Sequence, residues 1–282
     1  MTMPPTPEVH RHPAPERRER PLLELVGVRF ARDGRSVLQG VDFQLRDADR
    51  VALVGANGAG KTTLLHSLVG LIRPDAGEVM AFGRPCRAEP DFRSVRARVG
   101  LLFQHSDDQL FCPTVLDDVA FGPLNLGRAP AEARAVAERT LAALGLTGFA
   151  DRVTHRLSSG EKRLVALATV LAMEPEVLLL DEPTNGLDEN TEARLIGHLA
   201  ELDQAMVVVS HDRRFLEQLV NRAVVLRHGV LTEAELHRHP HRHEHVHLHI
   251  HVPGDDAAHA HDAPVPPHAD HHAAEGESGP AD

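Results

Sequence analysis

The chain has 282 residues, a net charge of −11, only 3% aromatic residues, and neither Trp nor Tyr. That length accommodates one large α/β domain or two small ones, and Cys86 and Cys112 stand in unrelated contexts, which excludes a C-x-x-C metal site and fits a reduced cytosolic compartment. Residues 237–282 set two arginines against eight acids and so carry −6 of the total, which leaves a nearly balanced body with no basic stripe for nucleic acid; runs such as Val177-Leu178-Leu179-Leu180 are too short to span a bilayer.

Residues 1–20 hold five prolines and alternating charge, with little to bury and no apolar core for a signal peptide, and are expected to be disordered. Strands are predicted at Leu22–Phe30 and Val37–Leu45, separated by the turn signal Asp33-Gly34. Arg50-Val51-Ala52-Leu53-Val54 reads as a buried strand and Thr63–Val69 as a helix. Between them lies Gly55-Ala56-Asn57-Gly58-Ala59-Gly60-Lys61-Thr62, a G-x-x-x-x-G-K-[ST] phosphate-binding loop in the strand–loop–helix context that it requires. Here glycines let backbone N–H groups close around phosphates, and the helix N-terminus adds partial positive charge. Lys61 can reach the β- and γ-phosphates, and the Thr62 hydroxyl can hold Mg²⁺.

Pro74–Gly77 is a turn, Glu78–Gly83 a strand, and Val99–Phe103 a buried strand that ends at Gln104. A mainly helical insert is predicted over about 105–165. Thr114 and Asp117 form a short-armed capping box, Pro130 marks a helix start, and Gly145 falls where a C-cap belongs. Ser158-Ser159-Gly160-Glu161 opens a further helix to about Met173. Val177–Leu180 is a buried strand that delivers Asp181 and Glu182, and Met206–Ser210 another that ends at His211-Asp212. Alternating buried strands and helices predict an α/β fold with a sheet covered on both faces. Asp181 would stand beside the phosphate loop in the Mg²⁺ shell. Glu182, its pKa raised by burial, would polarise the attacking water.

Taken together, these motifs resemble the ATPase subunit of ATP-binding cassette (ABC) transporters over about residues 22–232. Besides the phosphate loop and Asp181-Glu182, Gln104 looks like the Q-loop glutamine and Leu157-Ser158-Ser159-Gly160-Glu161 like the family signature. Gly186-Leu187-Asp188 looks like the D-loop and His211 like the switch histidine. The resemblance implies a P-loop NTPase core with an antiparallel β edge and a helical subdomain insert, covering 21–236. It implies ATP and Mg²⁺, the ion being held by Thr62, Gln104 and Asp181, and two subunits paired head to tail, expected to be a homodimer. ATP would lie on Gly55, Asn57, Gly58, Ala59, Gly60, Lys61, Thr62 and Thr63 of one copy and on Ser158, Ser159 and Gly160 of the other. Glu182 would be the general base, His211 would contact the γ-phosphate, and Asp188 would couple the two sites. Two departures stand out. Ser159 replaces the first signature glycine, and Arg32 occupies the place of the adenine-stacking aromatic, where a guanidinium can stack instead.

The stretch Phe103–Phe111 and Pro113–Gly127 resembles the energy-coupling-factor group, and within it the cobalt and nickel ATPases. There this segment docks on a transmembrane energy-coupling subunit that works with a substrate-specific membrane subunit, so the chain is expected at the cytoplasmic face of the membrane, peripherally bound. The tail from 237 to 282 is expected to be disordered. In it His237, His239, His241, His243, His245, His247, His249 and His251 fall at every second position. Extended backbone puts such residues on one side, about 7 Å apart, and neutral imidazole suits Ni²⁺, Co²⁺ and Zn²⁺. Three rivals stay open: a vitamin transporter's ATPase with an incidental tail, a soluble non-transport cassette ATPase, and a metal store regulated by ATP.

Overall fold

A computed structural model describes residues 20–240 and 246–251. Chain order begins β1 (Leu23–Arg32), β2 (Arg35–Leu45), β3 (Arg50–Val54), α1 (Lys61–Leu68), β4 (Ala76–Ala81), β5 (Arg84–Pro85), α2 (Glu89–Arg96) and β6 (Val99–Leu102). It continues α3 (Val115–Asn125), α4 (Pro130–Ala143), α5 (Ser159–Leu171), β7 (Val177–Asp181), α6 (Glu189–Glu201), β8 (Ala205–Val209), α7 (Arg213–Leu219), β9 (Arg222–Arg227), β10 (Val230–Pro240) and β11 (Val246–His251).

An antiparallel sheet runs β2-β1-β4-β5, and a mixed sheet runs β11-β10-β9-β3-β8-β7-β6. The five strands from β9 to β6 are parallel, with β3 between β9 and β8. This is the α/β cassette fold expected, antiparallel edge included. Asp33 and Gly34, both at positive φ (51° and 74°), close the β1–β2 hairpin, the backbone a tight two-residue turn demands.

The parallel strands are apolar on both faces because each face has its own core. Leu178, Leu180, Met206 and Val208 pack with α3 to α7. Val177, Leu179, Val207 and Val209 alternate to the other side and pack with α1, α2 and the antiparallel sheet. Gly100 permits close approach of α5 to β6: a Cβ there would lie 2.3 Å from the Val170 side chain.

Within the insert, Thr114 caps α3 by accepting from the Asp117 N–H at 3.2 Å. Buried Asp118 fixes the turn before it. Its carboxylate accepts from the Phe111 and Cys112 N–H groups (3.0 and 2.9 Å) and from the Thr154 hydroxyl (2.9 Å).

The structure departs from the expected disorder after residue 236. Residues 237–240 continue β10, and 246–251 form β11, which pairs antiparallel with it and extends the mixed sheet. The physical reason is that histidines at every second position leave Leu236, Leu248 and Ile250 at alternate positions too, and period two is also the pattern of a half-buried strand. His241, His243 and His245, the histidines after His251, and the 1–20 segment apart from Arg20 lie outside the described residues.

Candidate functional site

The phosphate loop links β3 to α1. Gly58 and Gly60 adopt positive φ (78° and 103°). A Cβ at Gly55 would lie 2.5 Å from the Leu226 carbonyl oxygen, and one at Gly60 would lie 2.8 Å from Val37. Backbone form therefore demands Gly58, close packing demands Gly55, and both demand Gly60. Helix α1 starts at Lys61 with no side-chain cap, so its first N–H groups are left for a phosphate. Buried Lys61 donates from Nζ to the Gly55 and Ala56 carbonyls at 2.7 and 3.1 Å. Those contacts hold the ammonium across the loop that a phosphate would enter.

Strand β7 brings Asp181 to this loop. The Thr62 hydroxyl donates to Asp181 Oδ2 at 2.7 Å. Glu182 follows at φ 49° and donates its N–H to the Val209 carbonyl at 2.8 Å. Its side chain is only 16% exposed. Burial raises its carboxyl above the ordinary range, and the neighbouring His211 opposes that shift. His211, from the end of β8, places Nε2 3.4 Å from Glu182 Oε1 and 3.1 Å from Asn57 Oδ1. One imidazole nitrogen thus stands between the phosphate loop and the second acid.

The phosphate loop and the two acids border one cavity of about 520 Å³, lined among others by Arg32, Lys61, Thr62, Gln104, Asp181 and Glu182, with His211 beside it through its contacts to Asn57 and Glu182. The residues fit a Mg²⁺–nucleotide. A hydroxyl, a buried carboxylate and a glutamine offer hard oxygen ligands. An ammonium and a ring of backbone N–H groups offer anion contacts.

Ser158, Ser159 and Gly160 are not part of this cavity. They line a separate hollow with Gly186 and Asp188. Ser158 caps α5 in a full capping box: its hydroxyl accepts from the Glu161 N–H at 3.3 Å, and Glu161 Oε2 accepts from the Ser158 N–H at 2.8 Å. Asp188 caps α6, accepting from the Asn190 and Thr191 N–H groups, each at 3.1 Å.

Sequence reasoning missed Arg163. Buried on α5, it donates to the carbonyls of Phe103 (2.5 Å), Gln104 (3.2 Å), Asp181 (2.7 Å), Pro183 (3.1 Å) and Glu182. Burial lowers its pKa to about 10. An arginine in the second turn of a predicted helix reads as a solvated face; only its place beside an apolar helical run hinted at burial.

A model of the ABC transporter family matches residues 38–185. The chain is 57% identical to an ABC transporter ATP-binding protein of Brucella suis, over 78% of this chain and 91% of that protein. It is 43% identical to the energy-coupling factor transporter ATP-binding protein EcfA of Methanothermobacter thermautotrophicus, over 71% of this chain and 65% of that protein. Among solved structures, cbiO1 of Clostridium perfringens, part of the ABC transporter complex cbiONQ, superposes with a TM-score of 0.67 at 31% identity. It covers 76% of this chain and 87% of that one. A dimeric ATP-binding cassette bound to ADP and Pi superposes with a TM-score of 0.68 at 26% identity, covering 74% of this chain and 96% of that one. With a nucleotide cavity of this composition on this fold, the chain belongs to the ABC transporter family, as one of its ATP-hydrolysing subunits.

Proposed function

We propose that this ATPase powers import of nickel or cobalt through an energy-coupling-factor membrane complex. The observation that carries docking is an apolar groove beside the Q-loop. Phe111 and Phe121 meet there edge to face, with ring centroids 4.8 Å apart, yet remain 64% and 42% exposed. Val69, Leu71, Leu101 and Met173 complete the groove. A patch of this kind on the α3 segment suits an apolar helix of a membrane partner. No helix among the described residues is long and apolar enough to cross a membrane. In this reading the chain therefore sits peripherally, at the cytoplasmic face. The names of its relatives EcfA and cbiO1 support the energy-coupling group. The run of histidines supports a transition metal as cargo.

In the proposed cycle Lys61 and the loop N–H groups bind the ATP phosphates. Thr62, Asp181 and Gln104 hold Mg²⁺, which neutralises phosphate charge when bound. Glu182 takes a proton from the attacking water, and His211 orients the γ-phosphate. Arg32 covers the adenine face. Ser158, Ser159 and Gly160 serve the second copy, which accounts for their separation from the cavity of their own chain. Asp188, at the α6 N-terminus in the same hollow, links the two sites.

The test is uptake of radiolabelled nickel and cobalt in the native cell after deletion of this chain and its restoration as wild type, Glu182→Gln, or a chain ending at Leu236. Loss of one ion's uptake, rescued by wild type and not by Glu182→Gln, is expected and names the ion. Normal uptake of both ions together with lost vitamin uptake would replace the metal by a vitamin.

A further inference from the structure

Two neighbouring strand ends meet one face of α1. Strands β6 and β7 pair in parallel with Leu102 opposite Leu180, so Phe103 follows on the one where Asp181 follows on the other. Thr62 and His66 are four positions apart on α1 and share a face of it. Thr62 donates to Asp181 at 2.7 Å. One turn further on, the His66 ring meets the Phe103 ring edge to face, with centroids 5.7 Å apart and planes at 62°. A single helix face thus ties both strand ends. The residues that come next, Gln104 and Glu182, both line the nucleotide cavity.

Gln104 is exposed, so its placement depends on how the backbone around it is held. The Phe103 carbonyl accepts from Arg163 at 2.5 Å. The Phe103 N–H donates to Gln109 Oε1 at 3.3 Å, and Gln109 Nε2 donates in turn to the Ala166 carbonyl and the Thr169 hydroxyl at 2.8 and 2.7 Å. Arg163 and Gln109 therefore fasten this corner to α5. Of the three residues that hold Phe103 in these contacts, His66 is the one that rises from the phosphate-loop helix. An edge-to-face pair sets the tilt of the two rings as well as their distance, which an aliphatic contact does not.

We propose that His66 is a positioning residue for the ATPase: its ring holds Phe103 to the phosphate-loop helix and so keeps Gln104 in the cavity that Thr62 and Asp181 also line. This rests on the reading above that Gln104 serves the nucleotide-bound cation, and it adds a residue outside the cavity lining through which that glutamine is placed. His66 touches neither phosphate nor cation in this role. Its effect on cation binding is exerted through Phe103 and Gln104.

The experiment measures Mn²⁺ binding to the full chain in the presence of a non-hydrolysable ATP analogue, from the electron paramagnetic resonance signal of the free ion. It compares wild type, His66→Phe, His66→Leu, His66→Ala, Gln104→Ala, and Gln104→Ala with His66→Leu, each checked for a cooperative unfolding transition in urea. Leu fills the volume without a ring and Ala removes both. Either is expected to raise the Mn²⁺ Kd about 2- to 10-fold, whereas Phe keeps the ring contact and should stay within about twofold of wild type. Gln104→Ala should raise the Kd at least as far as His66→Leu does. Adding His66→Leu to Gln104→Ala should raise it no further, because the effect passes through Gln104. The Mg²⁺ dependence of ATP hydrolysis should rank the variants in the same order. A wild-type Kd in His66→Leu and His66→Ala, equal losses in the Phe and Leu variants, or additive losses in the double variant would each overturn the positioning role while leaving Gln104 in place. A wild-type Kd in Gln104→Ala would sink the reading of Gln104 itself, and the role of His66 with it.

Discussion

Thr62 and Asp181, 119 positions apart in sequence, meet through a hydrogen bond of 2.7 Å at the floor of the nucleotide cavity. That contact sets the hydroxyl beside the carboxylate, the two groups that would hold Mg²⁺ in the proposed cycle. Asp181→Asn keeps the shape and removes the charge. It is expected to weaken Mg²⁺ activation of ATP hydrolysis about 10- to 100-fold, read from rate against Mg²⁺ concentration at saturating ATP. An unchanged Mg²⁺ dependence would remove Asp181 from the ion's shell.

Glu182→Gln is expected to lower kcat by about 10²- to 10⁴-fold while ATP binding persists, as measured by turnover and by retention of labelled ATP. The carboxyl is raised by burial, so the acid limb of the wild-type rate profile should lie above the ordinary carboxylate range. The stability sign also follows. Between its unfolded and its raised folded pKa, the native state binds more protons than the unfolded state, so wild-type stability falls as pH rises through that window. The Gln variant lacks this loss. Its Tm should exceed the wild-type value at pH 8 and approach it at pH 4.

Arg163→Met removes the donor shared by five carbonyls and leaves buried acceptors unpaired. The expected cost is about 3 kcal/mol or more in urea unfolding. Arg163→Lys supplies a charge without the planar fork and should recover only part of it. A loss below about 1 kcal/mol for Met would mean that other donors or water replace the guanidinium.

Phe111→Ser combined with Phe121→Ser tests docking. The rings pack mainly on each other, so the loss in stability should stay near the scale of an edge-to-face pair, about 1 to 2 kcal/mol, and ATP hydrolysis by the isolated subunit should hold. Uptake, and recovery of the chain with washed membranes, should both fall. Full membrane recovery of the double variant would place the docking surface elsewhere.

Cys112 carries a thiol raised to about 11, chiefly by burial and then by Asp118. Little thiolate is present near neutrality, so maleimide labelling at pH 7.5 should be at least about tenfold slower than for an ordinary thiol of pKa near 8.5. Rapid labelling would show that the Cys112–Asp118 turn opens readily.

The nucleotide cavity was legible because its residues sit at strand ends and in a loop whose glycine spacing encodes the backbone path. Strand β7 could be placed beside the loop from its apolar run and terminal acids alone. Arg163 and Asp118 were not legible. Each is a charged residue whose partners are backbone groups, Phe103 to Pro183 for the one and Phe111 and Cys112 for the other, and no pattern of side chains announces a carbonyl or an amide. The short β5 and helix α2 escaped for want of an extended apolar period, Phe92 and Val95 being the only buried residues of α2. In the tail, the every-second-residue spacing of the histidines suits metal ligands, and the same period suits strand pairing, which is the form β10 and β11 take.

The carbonyls that Arg163 gathers lie at the ends of two neighbouring parallel strands, and the side chain itself rises from the helix that Ser158 caps. A single guanidinium is thus the joint of a lever. If the proposed membrane partner presses on the Phe103–Gln104 corner, the displacement would reach the peptide of Glu182 and the start of α5 by a path one side chain long. Force and hydrolysis would then be coupled through a stiff element, and softening that joint would let a subunit consume ATP without moving its cargo.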